Sequence, residues 1–126
     1  MRAVTSGTAA FVLGISKKDL DNILSRHAVR GFERGTRGIA RRISLISIEQ
    51  VAVAIDLAHD FSIPITLALT LAEQTLASRE GVVISPSGHL AIHADLDRIR
   101  RELHERLSEA IEHVIPPLRG RPVLKD

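Results

Sequence analysis

Cysteine, tryptophan and tyrosine are absent from this 126-residue chain, which carries three phenylalanines. Without cysteine, disulfides, thiol catalysis and thiolate metal sites are excluded. With so few aromatic rings, stacking on the bases of a single-stranded nucleic acid is a poor mechanism for this protein. Apolar residues still make up 44% of the chain. That is enough to build the core of one domain, or of one small domain with an appendage.

Long apolar runs are missing as well. No segment approaches the length of a membrane span, and the first residues lack the charged-then-apolar pattern of a secretion signal. We therefore expect a cytoplasmic protein with no membrane partner.

The net charge of +2 is unevenly distributed along the chain. Residues 1–46 carry nine Lys or Arg against three acidic residues, whereas residues 47–126 carry eight basic and twelve acidic residues. A basic half joined to an acidic half is typical of a nucleic-acid-binding head on a separate body, although a solvated surface would also allow it.

The basic half opens with a pattern typical of two crossed helices, over residues 5–13 and 16–26. Ala10 is small enough for a close crossing, and Gly14 falls where the chain must leave the first helix with a positive φ. Ser16 is a good N-cap for the second helix, with Asp19 three residues later. Leu20 points back toward the first helix. The outward side chains, with the N-cap serine, can bond phosphates or base edges: Ser16, Lys17, Lys18, Asp21, Asn22, Ser25 and Arg26.

Residues 27–42 show no helical period and contain three glycines. The turn signal 35–38 separates Val29–Arg34 from Ile39–Ile43, which predicts a two-stranded hairpin with a basic tip, that is, a wing. A disordered basic linker is the alternative. The cations that a wing would lay along phosphates or into the minor groove are Arg30, Arg34, Arg37, Arg41 and Arg42.

The acidic half contains more helix and one further hairpin. We expect a loose start over 1–4, a third helix capped by Ser47 and a fourth capped by Ser62. A β-hairpin over 81–93 turns at 86–88. The longest helix spans 95–114 and is capped by Asp95, with i,i+4 pairs predicted at Arg98–Glu102, Arg101–Glu105 and Glu102–Arg106. Its apolar stripe predicts a homodimer surface, although it could instead pack on helices three and four of its own chain: Leu96, Ile99, Leu103, Leu107, Ala110, Ile111 and Val114.

The order helix, tight turn, helix, basic wing, helix, turn, helix resembles the winged helix-turn-helix head of the mercury-resistance regulator (MerR) family. The matching segments cover about residues 5–76: Ala10-Phe11-Val12-Leu13-Gly14-Ile15-Ser16 at the corner, the basic stretch 34–42, Ile43-Ser44-Leu45-Ile46-Ser47-Ile48-Glu49-Gln50-Val51, and Asp60-Phe61-Ser62-Ile63-Pro64. The resemblance implies a second helix lying in the major groove of DNA, with Lys17, Lys18, Asn22 and Arg26 as contacts.

The sequence also departs from the family pattern. An Arg-aromatic-Tyr-Glu run usually follows the second helix, but here the chain reads Arg26-His27-Ala28-Val29-Arg30. The Gly-Tyr-Arg-x-Tyr of the wing is replaced by Gly38-Ile39-Ala40-Arg41-Arg42, and the metal-binding cysteines are missing. The resemblance therefore supports a DNA-binding head. It does not support metal sensing or the promoter-untwisting mechanism.

The fold predicted from these patterns is mainly α. A winged helix-turn-helix domain over 1–79 precedes a β-hairpin and long C-terminal helix over 80–126, the expected dimerisation element. The predicted function is sequence-specific binding of double-stranded DNA by a nucleoid-associated transcriptional regulator, working with the transcription or recombination machinery. The alternatives are a phage-type excisionase that bends DNA, and a protein-interaction module such as an antitoxin or adaptor.

The sequence gives little support to the hypothesis that the protein is an enzyme. His89 and His93 on a predicted strand, with His104 and His113 on the following helix, could form a zinc site. No helix carries two His at the i,i+4 spacing, however, and no acidic partner stands at a recognisable spacing. A nucleophile elbow and a glycine-rich phosphate loop are both missing. We expect no catalytic residues, no metal and no cofactor.

Overall fold

A computed structural model of the chain describes residues 3–27, 29, 32–33 and 42–113. Within these ranges the protein is mainly helical, with two small antiparallel sheets. The helices are α1 (Ser6–Leu13), α2 (Lys17–Arg26), α3 (Leu45–Phe61), α4 (Ile65–Ala77) and α5 (Leu96–His113). The strands are β1 (Ala3–Val4), β2 (Phe32–Glu33), β3 (Arg42–Ser44), β4 (Val82–Ile84) and β5 (Ala91–His93).

The first sheet ties the start of the chain to the segment before α3. Its strand order is β1-β3-β2, and Ile43 at its centre pairs with Val4 on one side and Phe32 on the other. The Ile43 side chain is buried in the core. The expected loose start over 1–4 is therefore wrong for Ala3–Val4, because a two-residue strand is too short to show an alternating pattern. The predicted turn of the wing hairpin, over 35–38, lies outside the described residues.

Two predicted helix caps are corrected. The hydroxyl of Ser44 accepts a hydrogen bond from the Ser47 N–H at 3.3 Å, so Ser44 and not Ser47 caps α3. The helix starts earlier because β3 leads directly into it. Ser62 does not cap α4; it ends α3 in a left-handed conformation with φ 58°, and its N–H bonds to the Leu57 carbonyl. Pro64 occupies the N-cap position of α4 without a side-chain cap.

Helices α3 and α4 pack against each other, and both contribute fully buried small residues to the core. These are Ala54 of α3 and Ala68 and Ala72 of α4. The buried Gln50 carboxamide donates a 3.0 Å hydrogen bond to the Leu69 carbonyl. This bond satisfies a polar group inside the core and fixes how the two helices face each other.

The predicted second hairpin is confirmed. Ile84 pairs with Ala91, and the Gly88 N–H closes the turn on the Ser85 carbonyl at 2.8 Å. Gly81, just before β4, has φ 72°, and a Cβ atom added there would collide with the carbonyl oxygen of Ala94. A glycine is thus required at this position for both conformational and steric reasons.

The expected dimer stripe of α5 is used inside the chain instead. Helix α5 packs mainly on α1 and also on α3, rather than on the α3–α4 pair that the alternative named. Leu96, Leu103 and Ala110 are buried, while Ile99 and Leu107 are half-buried. The side chains of Ile111 and Val114 lie outside the described residues. Because α5 shares one hydrophobic cluster with α1–α4, the described residues of segments 1–79 and 80–126 contribute to a common core.

Alanine substitutions at three glycines should separate the cost of a positive φ from the cost of a steric overlap. We expect Gly14→Ala to lower the free energy of unfolding by about 1–2 kcal/mol. The cost comes from the φ of 72° alone, since an added Cβ atom would meet nothing within 4 Å. Gly81→Ala should cost roughly 3 kcal/mol or more, because strain and overlap add. Gly7→Ala, in open space within α1, is the control and should be neutral or slightly stabilising. Urea unfolding followed by far-UV circular dichroism measures all three; equal losses at Gly14 and Gly81 would contradict the steric argument.

Candidate nucleic-acid interface

The turn between α1 and α2 is built around Gly14. Its backbone has φ 72° and ψ 26°, as predicted, and its N–H bonds to the Phe11 carbonyl at 3.1 Å. The Ile15 N–H reaches back to the Ala10 carbonyl, also at 3.1 Å. These two bonds form a Schellman motif, which satisfies the carbonyls at the end of α1 and redirects the chain. Helices α1 and α2 are therefore separate elements joined by a tight corner.

Helix α2 has one buried face and one exposed face. Leu20 and Leu24 are fully buried, and Ile23 is half-buried beside them. The helix is amphipathic, so its burial fixes which side chains face outward. The structure thereby brings the predicted contact residues of α2 onto one surface, where Asp21 is half-buried and the others are exposed: Lys17, Lys18, Asn22, Ser25 and Arg26.

Two of the predicted contacts have structural roles on α2 itself. The Ser16 hydroxyl accepts a 3.0 Å hydrogen bond from the Asp19 N–H, so Ser16 is the N-cap of the helix. Lys17 Nζ lies 3.4 Å from Asp21 Oδ2, an i,i+4 ion pair on the exposed side. Exposed pairs of this kind are weak and screened by salt, so the pair leaves Lys17 able to contact a phosphate. Lys18 and Arg26 have no ion pair within the described part of the chain.

Of the predicted wing, the described residues include the two paired strands β2 and β3. Arg42 is exposed on β3, next to the buried Ile43. Strand alternation accounts for this, since neighbouring side chains on a strand face opposite sides of the sheet. The predicted wing contacts Arg30, Arg34, Arg37 and Arg41 lie outside the described residues.

The carboxyl end of α2 is in contact with α4. His27, which follows the last residue of α2, has its Nδ1 atom 3.4 Å from the Thr66 hydroxyl. Sequence reasoning missed this contact, because the two residues are separated by thirty-nine positions and neither carries a local signal.

Behind the corner, α5 holds the end of α1. Arg106 Nη1 donates a long, 3.4 Å hydrogen bond to the Val12 carbonyl. Of the i,i+4 pairs predicted on α5, Arg98–Glu102 is confirmed, with Arg98 Nε donating to the Glu102 carboxylate at 2.9 Å. The predicted Glu102–Arg106 pair is wrong, because Arg106 reaches the Val12 carbonyl instead. Both Arg106 and Glu102 line a small cleft of about 130 Å³ beside Leu13, together with Asp56 of α3.

Partial burial raises the pKa of the Asp56 carboxyl, and the negative charge of Asp60 raises it further. Attraction to Arg106 opposes this rise without cancelling it. A carboxyl whose pKa is higher in the folded protein stabilises the fold in its neutral form. That contribution is complete below the ordinary pKa of an aspartate and is lost as the pH rises through the raised value.

No metal centre emerges from the described residues, where no three His, Asp or Glu side chains cluster in a way that could hold an ion. His89, His93 and His104 are exposed. Within the described ranges, no helix combines the length and apolar character that crossing a bilayer requires.

No family model matches the chain, and neither does any curated protein or solved structure. Any proposal for the function of this chain therefore rests on its geometry.

Ser16→Ala should destabilise the protein by removing the cap. The Asp19 N–H then has no side-chain acceptor, and we expect the free energy of unfolding to fall by about 1 kcal/mol. Ser16→Asp keeps an acceptor at the same place and should restore most of that stability. Urea unfolding of the two variants measures this difference; equal stability of Ser16→Ala and the unmodified protein would contradict the role of Ser16 as a cap.

Replacing Asp56 by asparagine should stabilise the protein at neutral pH and not in acid. The carboxylate is partly desolvated and repelled by Asp60, and its partial exposure keeps the effect small, about 1–2 °C in melting temperature at pH 7. Near pH 3 the carboxyl is protonated in both states, so the two proteins should melt together. A melting-temperature difference that is the same at both pH values, or of the opposite sign at pH 7, would show that the charge of Asp56 does not destabilise the fold.

Proposed function

We propose that the protein binds double-stranded DNA as a winged helix-turn-helix regulator, with α2 inserted in the major groove. The observation that carries this proposal is the two-sided character of α2. Leu20 and Leu24 are fully buried against the rest of the head, while Lys18, Asn22 and Arg26 face outward on a helix that begins directly after the Gly14 corner. A helix exposed in this way has the width that the major groove admits.

The chemistry of the outward face suits a duplex better than a flat protein surface. Lysine and arginine bond phosphate oxygens or the edge of guanine, and asparagine can bond the edge of adenine through two hydrogen bonds. Arg42 extends the cationic character to β3, at the base of the wing. We assign positioning on the backbone to Lys17, Lys18 and the wing cations, and base reading to Asn22 and Arg26.

The resemblance to the MerR-type head remains part of this proposal. The three-stranded sheet supports it, because β1 and β2 both pair with β3 and so hold the base of the wing beside α1. The sheet thus fixes the strands at the base of the proposed wing relative to α1. Sequence specificity then comes from α2, and the flanking contacts come from the wing.

A single head covers only a few base pairs, so specific binding requires two heads on neighbouring half-sites. We therefore keep a homodimer on DNA as part of the proposal, with its contact outside the buried stripe of α5. Selecting bound fragments from a random duplex library tests this directly. Recovered sites should contain two related half-sites at a fixed spacing, whereas recovery of unrelated fragments would reject sequence-specific binding.

Removing cations from α2 should weaken binding in a salt-dependent way. For Lys18→Ala, we expect lower affinity for a labelled duplex and a slope of log K against log salt that is smaller by about 1, because one phosphate is no longer neutralised. Arg101→Ala removes an exposed cation from α5 and is the matched control, which should leave the slope unchanged. Fluorescence anisotropy at several salt concentrations measures both slopes. A salt slope near zero for the unmodified protein, or equal changes of slope in the two variants, would contradict the proposal.

A further inference from the structure

An open groove lies between α4 and the β4–β5 hairpin. Its volume is about 580 Å³, and its walls are mainly apolar. Leu67 and Leu71 of α4 form one wall, and Val83, Ile84, Leu90 and Ile92 of the hairpin form the other. We propose that this groove binds a small, uncharged, largely apolar molecule.

The groove concentrates the exposed apolar surface of the protein. Among the described residues, five large apolar side chains are exposed, and three of them line this groove: Leu67 (50% exposed), Ile84 (66%) and Leu90 (72%). Single exposed apolar residues are common on protein surfaces, whereas several of them in one groove offer apolar surface that a ligand can cover. The exposed apolar residues of the described chain are therefore concentrated at the proposed binding site.

The volume of the groove suits a small molecule. It falls within the range of about 300–1,000 Å³ that is usual for small-molecule sites. The occupant therefore has the dimensions of a small organic molecule.

The lining also limits the charge of the occupant, because it includes no Asp, Glu, Lys, Arg or His. A charged ligand would lose its hydration shell there without gaining an ionic partner. Of the polar side chains in the lining, the Thr70 hydroxyl donates to the Thr66 carbonyl, and the Ser85 hydroxyl is bonded to Ser87 and to the Leu90 N–H. The Gln74 carboxamide has no hydrogen bond within the described part of the chain and supplies one polar contact for the ligand.

N-phenyl-1-naphthylamine is a suitable probe, because it is uncharged, mainly apolar and fluoresces on entering an apolar site. The chain contains no Trp or Tyr, so protein emission does not interfere. We expect saturable binding of one probe per chain. Leu67→Arg places a charge in the groove at a half-exposed position and should weaken binding by at least about tenfold.

The matched control is Phe61→Arg, which changes another exposed apolar residue that does not line the groove. It should leave the dissociation constant unchanged, and thermal unfolding checks that both variants fold. Absence of saturable binding, or equal weakening by the two variants, would overturn the proposal. Sedimentation velocity adds a second test: a dimer that Leu67→Arg converts to monomer would show that a second copy covers the groove, and would overturn it as well.

Discussion

The left-handed backbone at Gly14 is the constraint on which the arrangement of the head depends. It ends α1, and the hydrogen bonds to the Phe11 and Ala10 carbonyls at this corner satisfy acceptors left open there. The chain then re-enters a helix at once, because the Ser16 hydroxyl caps α2. Burial of Leu20 and Leu24 fixes the rotation of α2 about its axis, and that rotation leaves the cationic side chains outward.

Features encoded by a few neighbouring residues could be predicted from the sequence. The Gly14 turn, the Ser16 and Asp95 caps and the β4–β5 hairpin each rest on local chemistry, and the structure confirms each of them. Where two residues could satisfy the same local rule, prediction failed. Ser44 and Ser47 both suit an N-cap, and the choice between them depends on where β3 ends, which is set by pairing with a distant strand.

Long-range contacts could not be derived from local patterns. The stripe of α5 has the spacing of a helix that buries one face, but the same spacing suits a partner helix from another copy or a groove in the same chain. Contact with α1 decides between them, and the Arg106 bond to the Val12 carbonyl adds to that contact. Leu67 and Leu71, four positions apart on α4, have the spacing of one helix face. Only the position of the β4–β5 hairpin beside them shows that they line a groove.

The central claim is that the outward face of α2 meets a DNA duplex. Backbone amide NMR signals of the labelled protein, followed while a short mixed-sequence duplex is added at low salt, test it most directly. The account predicts that the largest shifts fall within Lys17–Arg26 and at Arg42, with α5 little affected. Shifts confined to α5 or to the β4–β5 hairpin, or no shifts at all, would contradict it.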